Sequence, residues 1–165
     1  MAITKAEYLK LVEQSQKAKG QKRQSIDYEP ICLLPQWTIE QRGQQTFYIL
    51  PLVPTMNTYW RNVQGRVLIS KEGRSYKKHV GALALRLGMP LLTGNVKVLI
   101  EYHRPQRRGD LDNRQKALLD TLKGIAYIDD EQIVEIHSRR FESPNDGKII
   151  IAVEQSIHTL PFRDE

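Results

Sequence analysis

The sequence has too little cysteine and too few long apolar runs for several classes of protein. One Cys among 165 residues excludes an intramolecular disulfide framework and a Cys-rich zinc site. The most apolar uncharged stretches, residues 47–56 and 149–153, are far too short to span a bilayer. The four histidines are scattered, without the spacing of metal ligands. The remaining composition, 40% hydrophobic and 27% charged, is ordinary for a soluble globular protein.

The beginning of the chain and its charge narrow the class further. The first residues lack the basic start and apolar stretch of a signal peptide, so we expect a cytoplasmic protein. Lys and Arg together number 25 against 19 acidic residues, which gives a net charge of +6. This excess is compatible with a polyanionic partner such as nucleic acid but does not establish one.

We treat residues 1–45 as an extension to the main domain. Thr4 and Glu7 form a capping-box pattern, which predicts a helix over residues 4–24. A basic run at residues 17–23 is either an arm that contacts phosphates or a solvated, frayed helix end. The apolar run at residues 31–34 either adds a strand or packs as a clasp.

Residues 46–158 are predicted to form the main domain, and residues 159–165 a tail. Ser70 is predicted to cap a helix that runs to about Leu87, and a second helix covers about 112–123. The turn signal at residues 143–147 predicts that the last two strands form a hairpin. These elements predict an α+β fold with a mixed β-sheet and two helices packed on it. The predicted strands cover residues 47–50, 66–69, 96–103, 133–141 and 148–153.

The chemically informative residues lie between the third strand and the fourth. Asp110 and Asp112 are two residues apart at a helix start, so both carboxylates can reach one point. Lys116 follows one helical turn later, on the same face as Asp112. Asp129 and Asp130 form a turn before the next strand. If that strand runs beside the previous one, three or four carboxylates converge near one lysine.

Such a cluster favours phosphodiester hydrolysis by a metal-dependent nuclease. Like charges disfavour one another's ionisation, and a divalent cation removes that penalty. Oxygen ligands without Cys or His select Mg²⁺ or Mn²⁺, which polarises a phosphodiester and lowers the pKa of a bound water. Lys116 would stabilise charge on the phosphate or orient the water. Three arginines would hold the flanking DNA backbone: Arg107, Arg108 and Arg114.

Each residue also has a purely structural interpretation. Asp112 could merely cap the helix, and Asp129 and Asp130 could be a turn signal and no more. Lys116 could be an exposed lysine that pairs with Asp120. Tyr59 and Trp60, in the segment after the first strand of the main domain, could stack on unpaired bases or pack in a core or a dimer interface. The combination of all the acidic and basic signals is more specific than any one of them.

The same segments resemble the RusA family of Holliday junction resolvases. The similarity lies in residues 110–122 (DLDNRQKALLDTL), 127–134 (YIDDEQIV) and 54–61 (PTMNTYWR), which occur in the family's order. The start of the helix at residues 70–76 is similar too. The resemblance covers about residues 47–155.

The resemblance implies a homodimeric, Mg²⁺-dependent endonuclease that binds four-way DNA junctions and introduces paired nicks, for recombination and repair. Many members of this family are carried by phages or prophages. The positions of Asp110, Asp112 and Asp130 match the essential metal-binding carboxylates, and Lys116 matches the catalytic lysine. A dimer suits a two-fold junction. The matching motifs also place DNA-binding candidates near the site: Asn57, Arg61 and Asn113.

The sequence departs from the family pattern at three places. The extension of about 45 residues has no counterpart in the compact family core, which leaves dimerisation and substrate preference open. Val53 and Pro54 stand where a Pro-Pro pair is usual, and the turn before Asp129 is slightly shorter. Two alternatives also stay open: a nuclease of the same fold that cuts other branched DNA, and a DNA-binding module without turnover. Lys116 argues against the second, because a structural acid cluster does not need it.

Overall fold

The structure is a computed structural model that describes residues 26–106, 110–143 and 146–157. The predicted helix at 4–24, its basic run and the tail at 159–165 lie outside the described residues. Within the described ranges, no helix is long and apolar enough to cross a membrane.

The main structural element is a mixed five-stranded sheet. Its strand order is β1-β2-β7-β5-β6, with β5 and β6 parallel and the other neighbours antiparallel. Strands β3 and β4 form a separate two-stranded ribbon. The strands are β1 (Ile39–Arg42), β2 (Gln45–Pro51), β3 (Trp60–Val63), β4 (Arg66–Ile69), β5 (Val96–Arg104), β6 (Ile133–Glu142) and β7 (Lys148–Gln155).

The described residues form four α-helices beside the sheet, and the two longer ones are those predicted. They are α1 (Tyr28–Cys32), α2 (Met56–Tyr59), α3 (Lys71–Arg86) and α4 (Gln115–Leu122). Ser70 caps α3 as predicted, because its hydroxyl accepts a hydrogen bond of 2.9 Å from the Gly73 amide. A 3₁₀ turn at Asp112–Arg114 precedes α4, and another at Asp130–Gln132 precedes β6. The predicted α+β class, with helices on a mixed sheet, is confirmed.

The predicted hairpin between the last two strands is wrong. β5 lies between β6 and β7, and it pairs parallel with β6 and antiparallel with β7. β7 is almost entirely buried and takes an interior place, whereas the more polar β6 lies at an edge. A 3.1 Å hydrogen bond joins the Asp146 amide to the Ser143 carbonyl, and the Ser143 amide donates one of 2.9 Å to the carbonyl of Arg104 at the end of β5.

One face of the sheet packs against the helices and forms the main core. Along β5, Val96, Val98, Ile100 and Tyr102 are buried in this core, and the residues between them are only half-buried. Leu118 and Leu122 of α4 have no solvent exposure. Burial of each such leucine contributes about 1.5–3 kcal/mol. The position of α4, and with it that of Lys116 on its outer face, is therefore fixed by apolar contacts.

Part of the predicted extension is integral to this fold. The apolar run at 31–34, expected as a strand or a clasp, overlaps the end of α1, and the strand of this segment lies later, in β1. Tyr28 of α1 packs edge-on against Tyr76 of α3, with ring centroids 5.0 Å apart. The Arg86 guanidinium donates a 3.1 Å hydrogen bond to the Cys32 carbonyl. These contacts join α1 to α3 and to the core.

Candidate active site

Three of the four predicted catalytic residues, Asp112, Lys116 and Asp130, line a cavity of about 290 Å³ beside α4. Asp112 and Lys116 come from the start of the helical segment, as their spacing predicted. Asp130 comes from the 3₁₀ turn before β6. The complete set of lining residues within the described ranges is Met56, Asp112, Gln115, Lys116, Leu119, Asp120 and Asp130.

Buried contacts on the inner side hold the helical segment in place. The Arg114 guanidinium donates a hydrogen bond to the Val53 carbonyl, which ties the 3₁₀ turn to the segment after β2. The buried hydroxyls of Tyr59 and Thr121 lie 3.4 Å apart and link α2 to α4. The Tyr127 hydroxyl donates a hydrogen bond of 2.7 Å to the Leu119 carbonyl. The outward-facing residues of the cavity are thus carried by a well-anchored element.

The turn with the two aspartates is fixed by a capping box. The Asp129 carboxylate accepts a hydrogen bond from the Glu131 amide, and the Gln132 side chain accepts one of 2.9 Å from the Asp129 amide. Lys123 reaches both aspartates, with its Nζ 2.6 Å from Asp129 Oδ2 and 3.3 Å from Asp130 Oδ1. The hydrogen bond from the Lys123 ammonium is the main cause that lowers the pKa of Asp129 to about 2.

The amine of Lys116 lies at the surface of the cavity. Its Nζ is 3.7 Å from Asp120 Oδ2, the (i, i+4) ion pair that the sequence suggested. The Lys116 side chain is 58% exposed, whereas that of Asp120 is 20% exposed. The lysine is therefore accessible to a ligand, and its pair with Asp120 lies one helical turn after it.

The structure does not bring all the predicted carboxylates together. β6 does run beside β5, but the strands are parallel, so Asp112 follows the end of β5 while Asp130 precedes the start of β6. Asp110 is exposed and does not line the cavity. Within the described ranges, no group of three or more His, Cys, Asp or Glu side chains is placed to hold a metal ion. Among the described residues, Asp112 and Asp130 thus share the cavity without Asp110, and the carboxylates there do not form a metal-binding cluster.

The donor chemistry of the cavity nevertheless fits a hard divalent cation. Its acidic residues, Asp112, Asp120 and Asp130, offer carboxylate oxygens, and neither Cys nor His lines it among the described residues. Mg²⁺ commonly uses only one or two carboxylates and completes its shell with water and substrate phosphate. The metal-binding roles of Asp110, Asp112 and Asp130 remain predictions.

The DNA-binding candidates have different environments. Asn57 on α2 and Arg61 on β3 are exposed. Asn113 and Arg114 are half-buried, and Arg114 contributes to packing through its bond to the Val53 carbonyl. Arg107 and Arg108 lie outside the described residues.

Of the two aromatic residues, Tyr59 is fully buried in the core. Trp60 is half-buried and packs on Tyr59 with ring centroids 5.2 Å apart. The core interpretation of Tyr59 is therefore the one that the structure supports.

Sequence reasoning missed three cavity residues and one lysine. Asp120 was noted only as an ion-pair partner, although its spacing of four from Lys116 already placed it on the same helix face. Gln115 and Leu119 extend this wall, and Lys123 holds the Asp130 turn. Only the helical spacing was a usable signal, because the contact of Lys123 with the turn depends on how the chain returns after α4.

Comparison with protein families decides the assignment. The profile of the family described as Endodeoxyribonuclease RusA matches residues 50–154. This chain belongs to the RusA family. The predicted family and the predicted enzyme class, an endodeoxyribonuclease, are confirmed. The match includes every residue that lines the 290 Å³ cavity, from Met56 to Asp130.

Individual members of the RusA family are similar in sequence to this chain over most of their own length. The crossover junction endodeoxyribonuclease of Enterobacteria phage 82 is 36% identical over 119 residues, which cover 67% of this chain and 95% of that protein. The crossover junction endodeoxyribonuclease of Escherichia coli K12 is 35% identical over 114 residues, or 64% and 91% of the two chains. The periplasmic domain of Helicobacter pylori MotB aligns with a TM-score of 0.37 and 14% identity over 73% of this chain and 85% of that one, a likeness from which nothing follows.

Proposed function

We propose that this protein is a Mg²⁺-dependent, structure-specific endonuclease that resolves four-way DNA junctions by paired phosphodiester hydrolysis. The observation that carries the proposal is the cavity shared by Asp112, Lys116 and Asp130, inside the segment that matches the RusA family. Related proteins of the same family are named crossover junction endodeoxyribonucleases. The proposed setting is DNA recombination and repair in the cytoplasm.

Asp112 and Asp130 would hold the cation, with Asp110 available two residues before Asp112. When bound, Mg²⁺ would polarise the phosphodiester and lower the pKa of a water molecule. Mn²⁺ has the same ligand preference and is a plausible substitute.

The chain's own side chains prepare the site for a phosphate. The exposed Lys116 amine supplies positive charge where negative charge develops on the phosphate oxygens, and Asp120 orients it from 3.7 Å. Met56 and Leu119 supply apolar wall next to the charged groups. Lys123 holds the Asp129–Asp130 turn in position beside the end of α4.

DNA beyond the reacting phosphate would be held by the exposed side chains of Asn57 and Arg61 and by Asn113. Three arginines near Asp110 and Asp112 in the sequence would contact the flanking DNA backbone: Arg107, Arg108 and Arg114. A homodimer would present two equivalent sites to the two symmetric strands of a junction. The modest net charge of +6 suits a polyanionic substrate.

The test is cleavage of a synthetic four-way junction compared with linear duplex, splayed forks and flaps of the same sequences. We expect Mg²⁺-dependent, paired nicks in the junction, loss of nicking in EDTA, and little cutting of the duplex. Preferential cleavage of forks or flaps would assign the site to other branched DNA. Junction binding without nicking under any divalent cation would favour the DNA-binding module.

A further inference from the structure

A second and larger cavity, of about 560 Å³, lies on the other side of α2 from the catalytic one. One of its walls is aromatic and aliphatic and comes from Tyr28, Ile31 and Trp37. The opposite wall includes Thr55, Thr58 and Arg114. Its volume is in the range of sites that bury a small organic ligand, and its mixture of apolar surface with a few polar groups is typical of them.

The two cavities share the chain segments that separate them. Thr55 and Thr58 line the larger cavity, and Met56 between them lines the catalytic cavity. Asp112 likewise faces the catalytic cavity, while Arg114 two residues later lines the larger one. A DNA strand whose scissile phosphate lies at Asp112 would therefore have its neighbouring nucleotide close to the larger cavity.

Arg114 supplies a positive charge to this cavity, whose lining also includes the acidic Glu72. The Arg114 side chain is half-buried. A guanidinium has five N–H donors, and the contact to the Val53 carbonyl uses one of its nitrogens. A positive charge in this setting is stabilised by a negatively charged ligand.

We propose that the larger cavity binds one nucleotide of the strand that the enzyme cuts. The base lies against the apolar wall that includes the half-buried Ile31, and its phosphate is bound by Arg114. Enzymes that bind a flipped or unpaired base hold it in a pocket lined by aromatic or other apolar side chains. This inference rests on the proposed function, because it places the subsite next to the catalytic cavity.

The subsite is built in part by this chain's N-terminal segment. Tyr28, Ile31 and Trp37 lie before residue 50, where the match to the RusA family begins. The threonines and Arg114 lie within the match. The extension thus adds a wall to a cavity whose other side belongs to the family domain.

Nucleotide binding can be measured without cleavage. The chain has two tryptophans, so Trp60→Phe leaves Trp37 as the only one, in the wall of the cavity. We would titrate this variant of the full chain with deoxynucleoside monophosphates, the corresponding deoxynucleosides and inorganic phosphate, and follow tryptophan emission. We expect a saturable change, with monophosphates binding about tenfold more tightly than nucleosides because of the charged contact to Arg114.

Two variants test the assignment to the cavity. Arg114→Gln should abolish the preference for monophosphates, and Ile31→Phe should weaken nucleotide binding by narrowing the cavity. Arg86→Gln is the matched control, since Arg86 also donates to a backbone carbonyl but does not line the cavity. Far-ultraviolet circular dichroism checks that each variant folds. If Arg114→Gln is unfolded, Ile31→Phe alone decides.

Junction cleavage measured in parallel separates this inference from the proposed function. A protein that cuts junctions but gives no saturable emission change overturns the nucleotide subsite and leaves the proposed function standing. Saturable binding that is lost in the cavity variants, in a protein that does not cut DNA, supports the subsite and overturns the proposed function. Binding that both cavity variants leave unchanged also overturns the subsite.

Discussion

Replacement of Lys116 by Met tests whether this lysine is catalytic or only forms a surface ion pair with Asp120. The side chain is 58% exposed, and its visible partner is Asp120 at 3.7 Å. An exposed (i, i+4) pair contributes about 0.3–0.5 kcal/mol, and Met preserves most of the aliphatic stem. The free energy of unfolding should therefore change by about this amount or less. If the amine stabilises charge on a phosphate, cleavage should fall by about 10²–10³-fold.

The assay compares two measurements on the same protein. Urea denaturation gives the free energy of unfolding, and single-turnover cleavage of a four-way junction gives the rate. Lys77→Met is the matched control, because Lys77 is an exposed lysine of α3 that does not line the catalytic cavity. We expect it to leave both quantities unchanged. A Lys116→Met protein that cuts at the normal rate would refute the catalytic role and leave only the ion pair.

Three further predictions concern the fold and the turn beside the site. Gly73→Ala should cost about 1–3 kcal/mol of stability in urea denaturation, because a Cβ there would lie 2.7 Å from the Tyr59 carbonyl oxygen; an unchanged midpoint contradicts this packing. Tyr76→Phe should lower the free energy of unfolding by about 1 kcal/mol in the same assay, because the buried Tyr76 hydroxyl donates a hydrogen bond of 3.1 Å to the Pro51 carbonyl at the end of β2. An unchanged free energy of unfolding would argue against that bond. Lys123→Met should make stability depend less on pH between about 4 and 2. The pKa of Asp129 is lowered from 3.8 to about 2, so the stabilisation that this carboxylate provides is present above pH 3.8 and is lost as the pH falls through about 2. The measurement is the urea midpoint over this pH range. A midpoint that falls as steeply with decreasing pH as that of the unaltered protein would contradict the Lys123 contact.

The predictable parts of the fold are those that depend on local sequence. Ser70 and the apolar spacing that follows it define α3 within a residue of its observed ends. The alternation along residues 96–103 likewise predicts β5, with one face toward the core. Each of these signals is contained within a single element, so no knowledge of its neighbours is needed.

Strand order could not be predicted in this way. A turn signal such as that at 143–147 does not determine whether the flanking strands pair, because another strand can lie between them. The helical connection through α4 carries β6 to the far side of β5, and the apolar Ile149–Val153 part of β7 favours an interior position. Both effects depend on the burial of whole elements, which a local pattern does not contain.

The candidate site shows the same division. The spacing of Asp112 and Lys116 predicts a shared helix face, and both residues line one cavity. Asp130 reaches this cavity only through the path of the chain after α4, which is fixed by Lys123 and by the Gln132 side chain. The side-chain amide of Gln132 donates a hydrogen bond of 3.0 Å to the Leu92 carbonyl, forty positions earlier in the sequence, and no motif indicates this contact.

The most direct test of the hydrolytic account is Asp130→Asn, assayed for junction binding and for Mg²⁺-dependent single-turnover cleavage. Asp146→Asn is the matched control, because Asp146 pairs with Lys148 at 2.6 Å and does not line the catalytic cavity. We predict that Asp130→Asn binds the junction normally and has lost cleavage, while the control retains both. Normal cleavage by Asp130→Asn would contradict the account, since the carboxylates of two separate segments would then not act on one phosphate.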